Sequence, residues 1–219
     1  MDSKLTALQR DVLEAFFRRE TRFFLSGGAA LAGFHLGHRT TSDLDLFTTA
    51  AAMLDAGDAA LAEVATELGA KIQKIQTAPS FRRRLLRRAA ESIVVDLVLD
   101  ESPQRHPEKP TVGRIRMDAA DEILANKLCA LLSRAELRDL VDVRALEEAG
   151  HSVEEALPFA QAKDTGLTPA QLAWVLSQIR IDDCATIPGG ATAAEIRAYL
   201  HALIQRLAWR AHPDPDASS

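Results

Sequence analysis

Strand-like patterns are confined to the first half of this 219-residue chain, and that division constrains the fold more than any other feature. Up to about residue 117, short segments with apolar residues at every second position are interspersed with helical segments. From residue 119 to residue 209, apolar residues recur almost entirely at the three- and four-residue steps of helices. The sequence therefore predicts an α+β domain over residues 1–117, a helical domain over 118–210 and a disordered, polar tail over 211–219.

Three helices and five strands are predicted in the first domain. The helices cover residues 4–19, 29–36 and 50–68, and the strands cover residues 22–26, 43–47, 71–76, 81–88 and 92–99. A short turn joins the last two strands, which are predicted to form a hairpin. In the second domain, we expect Trp174 and Trp209 to lie in the core of the helical bundle.

The composition is typical of a folded protein rather than a disordered or membrane-spanning one. Hydrophobic residues make up 47% of the chain and charged residues 26%, and no apolar run approaches the roughly 18 residues of a membrane helix. The N-terminal segment is amphipathic and lacks the apolar run of a secretory signal, which favours a cytoplasmic location. The net charge of −5 differs from that of uniformly basic nucleic-acid binders, although five arginines cluster between residues 82 and 88.

A pair of glycines, Gly27 and Gly28, separates the first predicted strand from the helix that follows it. A strand, two glycines and a helix in this order place bare backbone N–H groups at a helix N-terminus, where they bind anions such as phosphate. The alternative is a tight turn that binds nothing.

Three aspartates are candidates for a metal site. Asp43 and Asp45 lie two apart on a predicted strand, so their carboxylates share one face at a separation of roughly 7 Å. A cation such as Mg²⁺ would relieve their repulsion, although a turn or a solvated edge also accommodates such a pair. Asp96 lies within an apolar strand, where a carboxylate is costly unless it is paired or binds a metal. Three such carboxylates can hold two Mg²⁺ ions about 4 Å apart, as in nucleotidyl transfer.

These motifs together resemble those of the AbiEii/AbiGii toxin family, the nucleotidyltransferase toxins of type IV toxin–antitoxin systems, within the DNA polymerase β-like superfamily. The matching segments are GGAAL at 27–31, RTTSDLDLF at 39–47, KLCALLSR at 127–134 and RDLVDV at 138–143. One departure from the family pattern is an additional residue between Arg39 and Ser42. The resemblance implies a polymerase β-like domain, with a mixed sheet and flanking helices, followed by a helical bundle.

The resemblance also implies a role for each matching residue. Asp43, Asp45 and Asp96 would hold two Mg²⁺ ions, with Asp96 alternatively acting as general base, and Lys127 would offset charge on the leaving pyrophosphate. The nucleotide would be bound by Ser26, Gly27, Gly28, Arg39, Ser42, Lys127, Arg138, Asp139 and Asp142. We expect Lys127 to serve nucleotide binding rather than folding.

Helical spacing gives two interpretations of the last of these segments. On one continuous helix, Lys127, Arg134 and Arg138 share a face. Alternatively, the helix breaks near residues 135–137, and Arg138 lies at the start of the next helix. Without the resemblance, an exposed charged helix would explain the pattern equally well.

The arginine cluster supplies candidates for RNA binding: Arg82, Arg84 and Arg87, on the strand that leads to Asp96. In an extended strand, Arg82 and Arg84 share one face and Arg83 lies on the other. The alternative is a solvated edge strand whose charges discourage aggregation.

The expected function is metal-dependent transfer of a nucleotidyl group from an NTP to an acceptor hydroxyl. By family analogy the acceptor is the 3′ end of a tRNA, and a cognate antitoxin protein is a possible partner. One alternative is a nucleotidyltransferase for small molecules of the aminoglycoside type. Another is a non-catalytic module that binds nucleotides or RNA. The basic hairpin favours a polyanionic acceptor over a small cationic one.

Overall fold

The protein forms two compact units, one ending at Ala119 and the other beginning at Ala120. The structure, a computed structural model, describes residues 4–211. Ala211, the first residue of the predicted tail, is the last residue of the final helix. Residues 212–219 of the predicted tail lie outside the described residues. Within residues 4–211, no helix is long and apolar enough to cross a membrane.

The first unit contains helices, a main sheet of five strands and a small two-stranded sheet. The helices are α1 (Ala7–Arg19), α2 (Gly27–Ala30), which continues into a π-helical turn at Leu31–His35, and α3 (Met53–Glu67). The main sheet contains β1 (Phe24–Ser26), β2 (Asp43–Thr48), β3 (Lys71–Ala78), β4 (Phe81–Arg88) and β5 (Glu91–Leu99). The small sheet pairs β6 (Thr111–Val112) with β7 (Ile115–Arg116). The α+β class predicted from the sequence is confirmed.

The main sheet is mixed, with the strand order β1-β2-β5-β4-β3. Strands β3, β4 and β5 follow one another as antiparallel hairpins, and β1 pairs antiparallel with β2. β5 returns to lie parallel to β2 in the middle of the sheet, so the chain crosses from β2 through α3 and two hairpins before the two strands meet.

One face of the sheet is covered by α1 and α3. Leucine and valine side chains of the two central strands are fully buried there: Leu44, Leu46, Val95 and Leu97. Gly57 of α3 permits the close approach, because a Cβ at this position would lie 2.5 Å from the Phe23 ring and 3.4 Å from Leu97. The packing of α3 on the apolar strand face therefore depends on this glycine.

Arg82 and Arg84 point towards the same helix-covered face. Arg84 is 1% exposed, and its guanidinium donates two hydrogen bonds of 2.7 Å to the carboxylate of Asp58 on α3. Arg82 donates to Asp55, one turn earlier on the same helix. These two arginines tie the outer part of the sheet to α3.

The second unit is helical. It contains α4 (Ala120–Arg134), α5 (Leu137–Glu148), α6 (Val153–Lys163), α7 (Pro169–Ser177) and α8 (Ala193–Ala211), with a short 3₁₀ turn at Pro188–Gly190. The expectation that Trp174 and Trp209 are core residues is wrong, because both are exposed. Each lies two residues after a buried leucine, Leu172 or Leu207, and therefore on the opposite face of its helix.

Replacing Asp58 by alanine tests the buried pair between α3 and the sheet. The change leaves the charge of Arg84 buried without its carboxylate, so we expect the free energy of unfolding in urea to fall by about 3 kcal/mol. Asp55→Ala is the matched control on the same helix. Asp55 is 88% exposed, so losing its pair with Arg82 should cost less than about 1 kcal/mol. Equal losses in the two variants would contradict the buried role of Arg84.

Candidate active site

The face of the sheet opposite α1 and α3 carries a row of polar side chains that crosses all five strands. In-register pairing places one residue from each strand in this row: Ser26, Asp45, Asp96, Arg83 and Gln76. Directly paired residues in neighbouring strands project to the same side of a sheet, at strand spacings of about 4.8 Å. The register thus brings together Asp45, Asp96 and an arginine from separate parts of the chain.

Asp43 and Asp45 lie on this same face, as their two-residue spacing predicts. Leu44 and Leu46 point the other way into the core, which fixes the orientation of the strand. The hydroxyl of Ser42 donates a hydrogen bond of 2.8 Å to Asp43. Both carboxylates are half-buried, so they remain accessible to a ligand from solvent.

The glycine pair makes close packing around the carboxylates possible. Gly27 has a φ of +63°, and a Cβ there would lie 2.5 Å from Oδ2 of Asp45. A Cβ at Gly28 would lie 2.9 Å from Nη2 of Arg39, whose side chain is buried. Gly27 therefore requires glycine, because its φ is positive and a side chain there would occupy the space beside Asp45.

The segment after the glycines differs from the regular helix predicted over residues 29–36. The α-helix begins at Gly27 and has four residues, and the chain then widens into the π-helical turn at Leu31–His35. The N–H of Leu36 donates to the carbonyl of Leu31, which is the wider hydrogen-bond spacing of such a turn. The dipole of such a short helical segment is small, so a phosphate here would be bound by the backbone N–H groups of the glycines rather than by a helix dipole.

Arg83 is the residue of this face that the sequence analysis did not assign to the site. Its Nε and Nη2 atoms donate hydrogen bonds of 2.9 and 2.7 Å to the two carboxylate oxygens of Asp96. Asp96 is 4% exposed, so this bidentate pair provides its counter-charge inside the sheet. The available signal was the two-residue period of the hairpin, which puts Arg83 on the face opposite Arg82 and Arg84.

The donor set of this face suits one divalent cation better than two. Asp43 and Asp45 offer carboxylate oxygens on one face beside the space that Gly27 leaves. Asp96 was expected to complete a site for two Mg²⁺ ions or to act as general base, but both of its oxygens accept hydrogen bonds from Arg83. Within the described part of the chain, no group of three or more His, Cys, Asp or Glu side chains is arranged to hold a metal ion.

The predicted RNA contacts are divided between the two faces of the sheet, and this corrects the expectation for Arg82 and Arg84. Successive side chains of a strand point to opposite faces of the sheet. Arg83 points to the face of Asp96, so Arg82 and Arg84 on either side of it point to the helix-covered face. Arg87 remains on the face of the carboxylates. It is exposed and is paired in register with Lys71 of β3.

In the second unit, Lys127 lies within a buried ion cluster. Its Nζ atom is 2.7 Å from a carboxylate oxygen of Asp139 and 2.7 Å from one of Asp142. Both aspartates are fully buried, and Arg134 also donates to Asp139 through Nε and Nη2. Lys127 is therefore part of the folded core of the second unit, and its part in nucleotide binding stays a prediction.

The chain breaks between α4 and α5, as one of the two sequence interpretations predicts. Ala135 has a φ of +49°, and α5 begins two residues later at Leu137. Arg138 lies in the first turn of α5, where its Nε donates to Glu136 at 2.6 Å. Arg134, rather than Arg138, is thus the guanidinium that binds Asp139 beside Lys127.

The cluster lowers the pKa of Asp139. Burial by itself would raise that pKa, but the hydrogen bonds from Arg134 and the charge and hydrogen bond of Lys127 outweigh it. The ionised form of Asp139 is therefore favoured by the folded state.

Comparisons with known proteins find similarity that extends over both units. The sequence model of the family described as "Nucleotidyl transferase AbiEii toxin, Type IV TA system" matches residues 11–215. Among curated proteins, no significant match is found. The solved structures that share the fold include JHP933 from Helicobacter pylori and the nucleotidyltransferase toxin MenT4 from Mycobacterium tuberculosis.

The similarity to these structures extends over nearly the whole chain. JHP933 is 20% identical with a TM-score of 0.56, and the match covers 94% of this chain and 92% of JHP933. MenT4 is 17% identical with a TM-score of 0.58, and the match covers 95% of this chain and 84% of MenT4.

The lowered pKa of Asp139 predicts how the stability of an Asp139→Asn variant depends on pH. A carboxylate with a lowered folded-state pKa stabilises the fold above its unfolded pKa, and that contribution disappears as the pH falls through the folded pKa. We expect the variant to lose about 3 kcal/mol at pH 7. The difference from the parent protein should shrink below pH 3.8, the ordinary pKa of aspartate.

Urea denaturation between pH 7 and pH 3 measures this difference. Asp183→Asn is the control in the same unit, because Asp183 is exposed in its pair with Arg197 and its loss should have little effect at any pH. A pH-independent difference for Asp139→Asn would show that the ion cluster does not stabilise the folded state.

Proposed function

Because this chain belongs to the AbiEii family of nucleotidyltransferase toxins, we propose that it moves a nucleotidyl group from an NTP to an acceptor hydroxyl and releases pyrophosphate. The observation that supports this most is the placement of Asp43 and Asp45 on one face, directly beside the Gly27–Gly28 turn. The type IV toxin–antitoxin context of the family makes an antitoxin protein a proposed partner.

The proposed roles follow from the positions of the side chains. Asp43 and Asp45 hold a Mg²⁺ ion, which when bound supplies a positive charge that polarises the phosphoryl group under attack. Ser26 and Gly27 lie against Asp45, and together with the backbone of Gly28 they bind the phosphates of the NTP. Arg39 packs against Gly28 and holds the turn in place, and Ser42 orients Asp43 through its hydrogen bond.

Residues of the second unit have a proposed part in binding the nucleotide. Lys127 uses two of its three N–H donors on Asp139 and Asp142, which leaves one donor for a phosphate oxygen. The two carboxylates hold this ammonium group in a fixed position. Arg138, at the start of α5, is a further proposed contact with the nucleotide.

We propose RNA, with the 3′ end of tRNA as the reacting hydroxyl, as the acceptor. The supporting observation is that Arg87 and Lys71 are exposed, adjacent and on the carboxylate face. They lie four residues along the strand from the row of Arg83 and Asp96, a distance of about 13 Å. Two cations at that distance can bind the phosphate backbone of an RNA whose end reaches Asp43 and Asp45.

The central test is transfer of label from NTPs to total tRNA in the presence of Mg²⁺. Asp45→Asn removes one charge with little change in size, so we expect at least about a 100-fold loss of labelling with an unchanged urea midpoint. Asp55→Asn, on the exposed side of α3, makes the same chemical change elsewhere and should retain full labelling. Undiminished labelling by Asp45→Asn would overturn the proposal, and label found only on small molecules would favour the aminoglycoside-type alternative.

Salt dependence tests the RNA surface separately. The double variant Lys71→Gln/Arg87→Gln should weaken tRNA binding and reduce the slope of log affinity against log salt by about 1.4, since each single-strand phosphate contact contributes about 0.7. Lys74→Gln/Arg114→Gln removes the same two charges from the opposite face of β3 and from the β6–β7 turn, so its slope should match that of the parent protein. Identical slopes for the two double variants would exclude this surface as the RNA site.

A further inference from the structure

We propose that Arg83 binds the phosphates of the nucleotide and supplies a fixed positive charge beside the carboxylates of Asp45 and Asp96. One divalent cation, held by Asp43 and Asp45, then completes the site. In this arrangement Asp96 positions Arg83 and is not a metal ligand. The inference rests on the proposed nucleotidyl transfer and names a residue outside the four sequence motifs of the family resemblance.

The first observation is the geometry of the pair between Arg83 and Asp96. Two parallel hydrogen bonds of 2.9 and 2.7 Å join the guanidinium to the carboxylate, and the register places the two residues directly opposite each other on β4 and β5. The planar ring of Phe81 lies beneath the guanidinium, 5.3 Å from its central carbon. The side chain is therefore held on two sides before any ligand binds.

The second observation is what this pairing leaves available. A guanidinium has five N–H donors, and Asp96 accepts from Nε and Nη2. Within the described residues, Nη1 has no hydrogen-bond acceptor, and the Arg83 side chain is 42% exposed on the carboxylate face. Nη1 thus offers a planar pair of donors to a ligand, which is the geometry that suits phosphate oxygens.

The third observation is electrostatic. The hydrogen bonds that Arg83 donates to Asp96 raise the pKa of Arg83 against the effect of burial, and the charges of Asp96, Asp43 and Asp45 raise it further. Arg83 therefore lies within the field of all three carboxylates. Asp43, Asp45, Asp96 and the Arg83 guanidinium together carry a net charge of −2, which a single Mg²⁺ ion neutralises.

Metal binding without turnover tests the role of Asp96, with Mn²⁺ alone as the probe. We expect the parent protein to bind one Mn²⁺ ion, Asp45→Asn to lose it, and Asp96→Asn to bind it with an affinity within about twofold of the parent. A tenfold or greater loss of Mn²⁺ affinity in Asp96→Asn would overturn the inference, because it would make Asp96 a metal ligand.

Nucleotide binding in the absence of metal tests Arg83 itself, with each of the four NTPs in EDTA as the probe. Arg83→Gln should weaken NTP binding at least tenfold and at the same time bind Mn²⁺ more tightly, since it frees the carboxylate of Asp96. A merely structural role would not move the two affinities in opposite directions. Arg82→Gln, the neighbouring arginine on the opposite face, should change neither affinity.

A double variant keeps the test decisive if the unpaired carboxylate of Asp96 prevents folding. Arg83→Gln/Asp96→Asn removes both charges, so Mn²⁺ affinity should return to the parent value while NTP affinity stays at least tenfold weaker. Parent-like NTP affinity in this variant, with label transfer by the parent protein intact, would overturn the role of Arg83 alone. No NTP binding and no label transfer by the parent protein would instead overturn the proposed function.

Discussion

The parallel pairing of β2 with β5 is the constraint on which the site of the first unit depends. It sets Asp45 beside Asp96, and the antiparallel pairing of β4 with β5 then sets Arg83 beside Asp96. A slip of one residue in either pairing would turn these side chains to the other face of the sheet. The burial of Leu44 and Leu97 against the helices holds the register, so hydrophobic packing on one face positions the charges on the other.

The arginines of β4 show how one strand serves both faces. Arg82 and Arg84 have carboxylate partners on α3, and Arg83, between them, has its partner on β5. The strand period predicts this grouping, but not which group points inward. That choice depends on Asp55 and Asp58 lying on the helix that covers the sheet, a contact between distant segments that a local pattern does not contain.

The sequence was sufficient for elements determined by local patterns and insufficient for contacts between distant segments. All five main strands were predicted from local apolar and alternating patterns, and the common face of Asp43 and Asp45 follows from a period of two. The bidentate pair of Arg83 with Asp96 depends on sheet order, and the π-helical turn at Leu31–His35 depends on tertiary packing. Helical spacing placed Lys127 on a charged face, whereas the chain break at Ala135 turns that face into a buried cluster.

The buried cluster of the second unit follows the same physical rule as the pair on the sheet: a charge is tolerated in the interior where it is paired and hydrogen-bonded. The left-handed backbone at Ala135 is unfavourable for alanine, and it lets the chain turn so that Arg134 and Lys127 both reach Asp139. An exposed lysine would lose side-chain freedom on binding a phosphate. Lys127 has lost that freedom on folding, so the proposed contact with a phosphate would couple ligand binding to stability at this residue.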